Sequence, residues 1–111
     1  MPSLVKIKIV QARDLPGDLQ GDASADAYVE IRLDEQHQKT TTFRKSLNPV
    51  WNEEFRFEVV DDSCLQNFPV EFKVMDQDLY SSEFIGALYL DLNPLIMRTA
   101  HGMDKDLVIQ V

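Results

Sequence analysis

Apolar residues recur at every second position through most of this chain, and that period of two constrains the fold more than any other feature. Val5, Ile7 and Ile9 alternate with Lys6 and Lys8, and Val29, Ile31 and Leu33 with Glu30 and Arg32. Phe55, Phe57 and Val59 alternate with Glu54, Arg56 and Glu58, and Val70, Phe72 and Val74 with Glu71 and Lys73. Leu88, Leu90 and Leu92 continue the pattern after Gly86. Successive side chains of an extended strand point to opposite faces, so each run reads as a strand with one face in a core and one in water. A further run from Lys39 to Arg44, mostly threonine, fits an edge or exposed strand, and Leu107 to Val111 supplies a terminal one. Turn formers separate the runs: Pro16-Gly17-Asp18, Gly21-Asp22, Asn48-Pro49, Asp61-Asp62-Ser63 and Asn93-Pro94. Asn93 to Asp104 has no clean period and has room for one helical turn. Many short strands without a long helical pattern predict an all-β chain, an antiparallel β-sandwich forming one domain over residues 1–111.

Charge narrows the function classes. Nineteen acidic side chains against eleven basic ones leave a formal charge of −8. That balance argues against broad nucleic-acid binding, which is driven by neutralising phosphates. It fits a cation binder or a plain acidic domain, depending on where the acids sit. No apolar run approaches the roughly 18 residues of a membrane span, and Met1 leads into strand-like sequence rather than a secretory leader. Cys64 alone forms neither an internal disulfide nor a multi-cysteine zinc site, and no glycosylation acceptor occurs. A cytoplasmic protein is the expectation. His37, placed in a polar hairpin turn from Asp34 to Gln38, and His101 come with no nucleophile elbow, metal-binding helix or phosphate loop, which predicts a non-enzyme.

Glu30, Glu54, Glu58 and Glu71 solvate strand faces. Two other acidic groups are different. One holds Asp14, Asp18, Asp22 and Asp26 in a glycine-containing loop between the first and second strands. The other holds Asp76, Asp78 and Glu83 at the end of the Val70–Val74 strand. Val70, Phe72, Val74, Asp76 and Asp78 share one parity, so a continued strand projects both carboxylates to the core side, about 7 Å apart. No lysine or arginine lies near them in sequence. An arrangement that repels in isolation becomes favourable around a hard divalent cation, and calcium takes six to eight oxygen ligands from such loops. Soft metals prefer His or Cys. An EF-hand is excluded: loops beginning at Asp22 or Asp18 put Ala27 or Ala23 where glycine is needed, and Leu33 or Val29 where the bidentate glutamate belongs.

Asp26-Ala27-Tyr28-Val29, Lys39-Thr40-Thr41-Thr42, the run Leu47-Asn48-Pro49-Val50-Trp51-Asn52-Glu53-Glu54-Phe55-Arg56-Phe57, Asp76-Gln77-Asp78 and Ile85-Gly86, in that order and spacing, resemble a C2 domain. The start at the first strand and the Asp26-Ala27-Tyr28 variant look like the amino-terminal C2 domain of a vesicle-trafficking phosphoprotein. The resemblance implies an eight-stranded Greek-key sandwich with calcium bound between loops at one end. It implies calcium-ligand roles for Asp26, for the bridging pair Asp76 and Asp78, for Ser81 and for Glu83, which stands where aspartate is usual. In the first loop it implies a ligand at Asp18 or Asp22, with Asp18 favoured because it follows Leu15-Pro16. Two ions are implied, with less support for a third. The implied function is calcium-dependent docking on acidic phospholipid membranes containing phosphatidylserine, by a module of a larger cytosolic or trafficking protein.

Leu19, Leu79 and Tyr80 are then the apolar tips that enter the interface, Tyr80 suiting the headgroup boundary, while Phe84 is expected in the core. Lys39 matches a phosphoinositide-binding lysine of the family, with Arg44 and Lys45 compensating for Thr41 at a second basic position. Such a protein is cytoplasmic and becomes peripheral to the membrane when calcium binds. The family usually ends with two further strands, and this chain has one candidate. A missing strand leaves an unpaired edge, which opens strand exchange or pairing between chains. The competing reading is a calcium-independent protein-interaction module on the same fold.

Overall fold

The computed structural model describes residues 3–16, 25–59, 69–92 and 106–110, the last as backbone. Its strands are β1 (Ser3–Gln11), β2 (Ala27–Leu33), β3 (Gln36–Lys39), β4 (Val50–Val59), β5 (Val70–Gln77), β6 (Ser82–Leu90) and β7 (Asp106–Gln110). They form a three-stranded sheet in the order β4-β1-β7 and a four-stranded sheet in the order β3-β2-β5-β6. Four of the ladders are antiparallel. The β1–β7 ladder is parallel, from Leu4 beside Asp106 to Lys8 beside Gln110. The expected sandwich is present, with that one departure from a uniformly antiparallel pattern.

The alternating pattern becomes the core. Val5, Ile7, Ile9, Val29, Ile31, Leu33, Phe57, Val59, Val70, Phe72 and Leu92 are buried together between the sheets. Each fully buried aliphatic or aromatic side chain of this kind contributes about 1.5–3 kcal/mol relative to exposure. Trp51 joins them at 9% exposure.

Local chemistry fixes the register. The β1–β4 ladder slips between Ile9 and Gln11, so β4 carries an extra residue there. Asn52, at that bulge, is left-handed with φ 51°, a conformation asparagine tolerates better than most residues. Asn48 Oδ1 accepts the Asp14 N–H at 3.0 Å. Ala12 and Leu15 donate to the carbonyls of Pro49 and Leu47. The Leu47-to-Trp51 motif thus clamps the exit of β1, from which the first acidic loop departs.

Two strand expectations are corrected. The threonine-rich run from Lys39 to Arg44 is not a strand: β3 ends at Lys39, and beyond it only Phe43 bridges to Ala27. Thr40 shows why. It is buried, its Oγ1 accepts the Val29 N–H at 2.9 Å, and the same hydroxyl donates to the Thr41 carbonyl. Side-chain hydrogen bonding competes here with a continued ladder. His37 lies in β3, opposite Arg32, rather than in the turn. The stretch from Asn93 to Asp104 lies outside the described residues.

Candidate functional site

The acidic end of the sandwich is built where β2 begins and β5 gives way to β6. Ala27 pairs with Asp76, and Asp76 pairs in turn with Glu83. Directly opposed residues in an antiparallel pair have Cβ atoms about 4.5–5.5 Å apart, so Asp76 and Glu83 set two carboxylates side by side, an arrangement that destabilises a sheet unless something positive joins them.

Three aspartates are oriented by backbone N–H groups. Asp26 Oδ1 accepts from Lys45 N at 2.7 Å. Asp76 Oδ1 accepts from Asp26 N at 3.0 Å. Asp78 Oδ1 accepts from Leu79 N at 2.8 Å. The main chain is held as firmly: Gln77 N donates to the Asp26 carbonyl at 2.7 Å, and Asp78 N to the Ser81 carbonyl at 2.7 Å. Each of these side-chain bonds engages one oxygen of its carboxylate. Beside Asp26 and Asp78 lies an open cleft of about 520 Å³, lined also by Thr42, Arg44, Gln77 and Leu79. The Asp26 and Asp78 carboxylates and the Thr42 hydroxyl are oxygen donors of the kind a hard cation such as calcium takes, and Arg44 brings a guanidinium to the same lining. Among the described residues, however, no group of three or more carboxylates or imidazoles is gathered closely enough to hold an ion. Asp18 and Asp22 lie outside the described residues.

Strand parity places Asp76 but not Asp78. β5 ends at Gln77, and the Asp78–Ser81 bond closes a tight turn, so Asp78 is an exposed turn residue rather than the next inward position of a strand. Ser81 is exposed in the same turn. Leu79 and Tyr80 stand at the tip with 87% and 97% of their surface exposed. Leu19 lies outside the described residues. Phe84, expected in the core, is 61% exposed. A bulge between Val74 and Met75 sets Phe84 opposite Met75, on the outer face of the sheet.

The basic residues separate. The Lys39 ammonium sits 5.7 Å from the centroid of the Tyr28 ring. Arg44 lines the acidic cleft instead, and Lys45 lends Asp26 its backbone N–H. Sequence reasoning missed this positioning role of Lys45 and the lining roles of Thr42 and Gln77. The relevant signal is the left-handed backbone of Lys45, φ 53°, which lysine does not advertise.

Sequence and fold connect the chain to known proteins. The C2 domain model matches residues 3–107. C2 domain-containing protein 5 of Homo sapiens is 43% identical over 102 residues, covering 90% of this chain and 10% of that protein. Synaptotagmin-4 of Arabidopsis thaliana is 41% identical over 110 residues, covering 94% of this chain and 19% of that protein. The chain therefore spans between a tenth and a fifth of the length of these relatives. Among solved structures, a C2 domain of plant Extended Synaptotagmin 1 superimposes with TM-score 0.71 at 37% identity, over 81% of this chain and 69% of that one. The calcium-bound tandem C2 domains of Extended-Synaptotagmin 2 give TM-score 0.74 at 25% identity, over 86% of this chain and 36% of that one.

Proposed function

The chain belongs to the C2 domain family, and on that footing we propose that it is a single module, residues 1–111, that docks on anionic phospholipid membranes when calcium binds its acidic end. The observation that carries this reading is the trio Asp26, Asp76 and Asp78, each tied through one oxygen to a backbone N–H, with Glu83 opposite Asp76. Paired carboxylates without a lysine between them are costly unless a cation is shared. Asp26, Asp76, Asp78 and Glu83 would hold two calcium ions, with Ser81 and one of Asp18 or Asp22 completing the shell. Bound calcium supplies positive charge and open coordination positions for lipid phosphate or carboxylate oxygens.

The protein's own residues do the rest. Without calcium, the acidic loops are repelled by an anionic leaflet. Arg44, which lines the cleft, would meet a headgroup phosphate or carboxylate. Leu79 and Tyr80, with Leu19, enter the interface, and Lys39, with Arg44 and Lys45, adds contact to phosphoinositide headgroups. Such a module would bring a larger cytoplasmic or trafficking protein to a membrane as a peripheral component. No catalytic role is assigned to it.

Calorimetry with calcium, together with co-sedimentation on phosphatidylserine vesicles, tests the proposal. Wild-type protein takes up calcium and is captured only in its presence, and Asp76→Asn with Asp78→Asn abolishes both while the fold persists. Absence of uptake at millimolar calcium would replace this reading with a calcium-independent protein-interaction module. The lack of three convergent carboxylates among the described residues favours that alternative.

A further inference from the structure

One base stands in the acidic cleft. Among the described residues that line it, Asp26 and Asp78 carry negative charge and Arg44 alone carries positive charge. The main chain builds this placement in. Phe43 N donates to the Ala27 carbonyl at 2.8 Å, and Ala27 N to the Phe43 carbonyl at 3.0 Å. Lys45 N donates to Asp26 Oδ1 at 2.7 Å, and Ser46 N to the Ala25 carbonyl at 3.0 Å. The residues on both sides of Arg44 are tied to the start of β2, so Arg44 rides on a fixed backbone beside Asp26.

Its guanidinium is nevertheless uncommitted. Among the described residues it makes no ion pair or hydrogen bond with a carboxylate, and the residue is exposed. An arginine serving as a structural counter-ion would pair with one of the acids it stands beside, since charge-assisted, bidentate contacts are the strong ones. Asp26 and Asp78 take their orientation elsewhere, from the N–H groups of Lys45 and Leu79. Arg44 therefore adds positive charge to the cleft wall without fixing either acid, and its removal leaves their orientation intact.

We propose that Arg44 is a built-in competitor of calcium, holding the ion's affinity down until an anionic phospholipid headgroup engages the guanidinium. The inference rests on the calcium docking proposed above. In a cleft of about 520 Å³ an entering ion comes within about 5–10 Å of the lining, and Coulomb repulsion over that range in a water-like dielectric lowers its affinity roughly three- to tenfold at low salt. A headgroup phosphate or carboxylate matches the guanidinium fork. Once paired there, the positive charge no longer opposes the ion. Calcium and anionic lipid then strengthen each other's binding, and by linkage each does so by the same factor.

Equilibrium calcium binding, measured without lipid, with phosphatidylcholine vesicles and with phosphatidylserine vesicles, tests this. Without lipid, Arg44→Gln should bind calcium about three- to tenfold more tightly than wild type, by a margin that narrows as salt is raised. Arg44→Lys keeps the charge and should keep the wild-type affinity. Arg32→Gln removes the same charge about 17 Å further along β2 from Ala27, and should leave the affinity unchanged. Phosphatidylserine should raise the calcium affinity of wild type by a larger factor than that of Arg44→Gln, and phosphatidylcholine should raise neither. Equal lipid-free affinity in wild type and Arg44→Gln, an equal gain in Arg32→Gln, or an undiminished phosphatidylserine gain in Arg44→Gln overturns this inference and leaves calcium docking standing. No calcium uptake by wild type in any arm overturns the docking reading, and this inference with it.

Discussion

Asp76 and Glu83 face each other across the β5–β6 ladder, and the cost of that pair depends on what lies between them. Without calcium, Glu83→Gln relieves a like-charge contact and should raise stability by a few tenths to about 1 kcal/mol. With calcium the same substitution removes a ligand of the proposed site and should lower calcium affinity. Urea unfolding in chelator, beside calorimetry with calcium, checks both signs. Asp76 was legible from parity, because the strand reaches it. The posture of Asp78 was not legible, since the Asp78–Ser81 hydrogen bond ends the strand one residue earlier. The part played by Lys45 was invisible, because it acts through its backbone N–H and a left-handed φ rather than its charge.

At the scale of the strands, alternation located the cores of β1, β2, β4 and β5 because burial on one face is what those ladders are for. It misplaced the threonine-rich strand because β propensity says nothing about where a hydroxyl takes its hydrogen bond. Thr40 satisfies the Val29 N–H with its side chain. Thr40→Val, nearly isosteric, leaves that buried donor unpaired and should cost about 1–3 kcal/mol, measured by chemical denaturation. Asn52 makes a second test. Its left-handed backbone at the β4 bulge should make Asn52→Val costly by about 1–3 kcal/mol, whereas Asn52→Gly should be close to neutral. Phe57→Ala, in the fully buried core, should cost about 3–5 kcal/mol.

For the whole molecule, the charge of −8 acquires a location. Asp26, Asp76, Asp78 and Glu83 lie where β2 starts and β5 turns into β6, with no three of the described acids converging on one point, and the exposed Leu79 and Tyr80 stand at the same end. What the period of two could not reveal is the inequality of the sheets, because strand order depends on which strands pair and not on which residues alternate. The lone terminal strand was foreseen, and its parallel seat beside β1 was not. Binding of calcium to the native state alone must stabilise it, by about 2.7 kcal/mol when the free ion is a hundredfold above its dissociation constant. Thermal unfolding with and without calcium should show that rise in wild-type protein and none in the Asp76→Asn, Asp78→Asn variant.

The most direct test of the central claim is co-sedimentation with phosphatidylserine vesicles, run in calcium and in chelator on wild-type protein. The account predicts capture in calcium and release in chelator. Equal capture in both, or no capture in calcium, would contradict it.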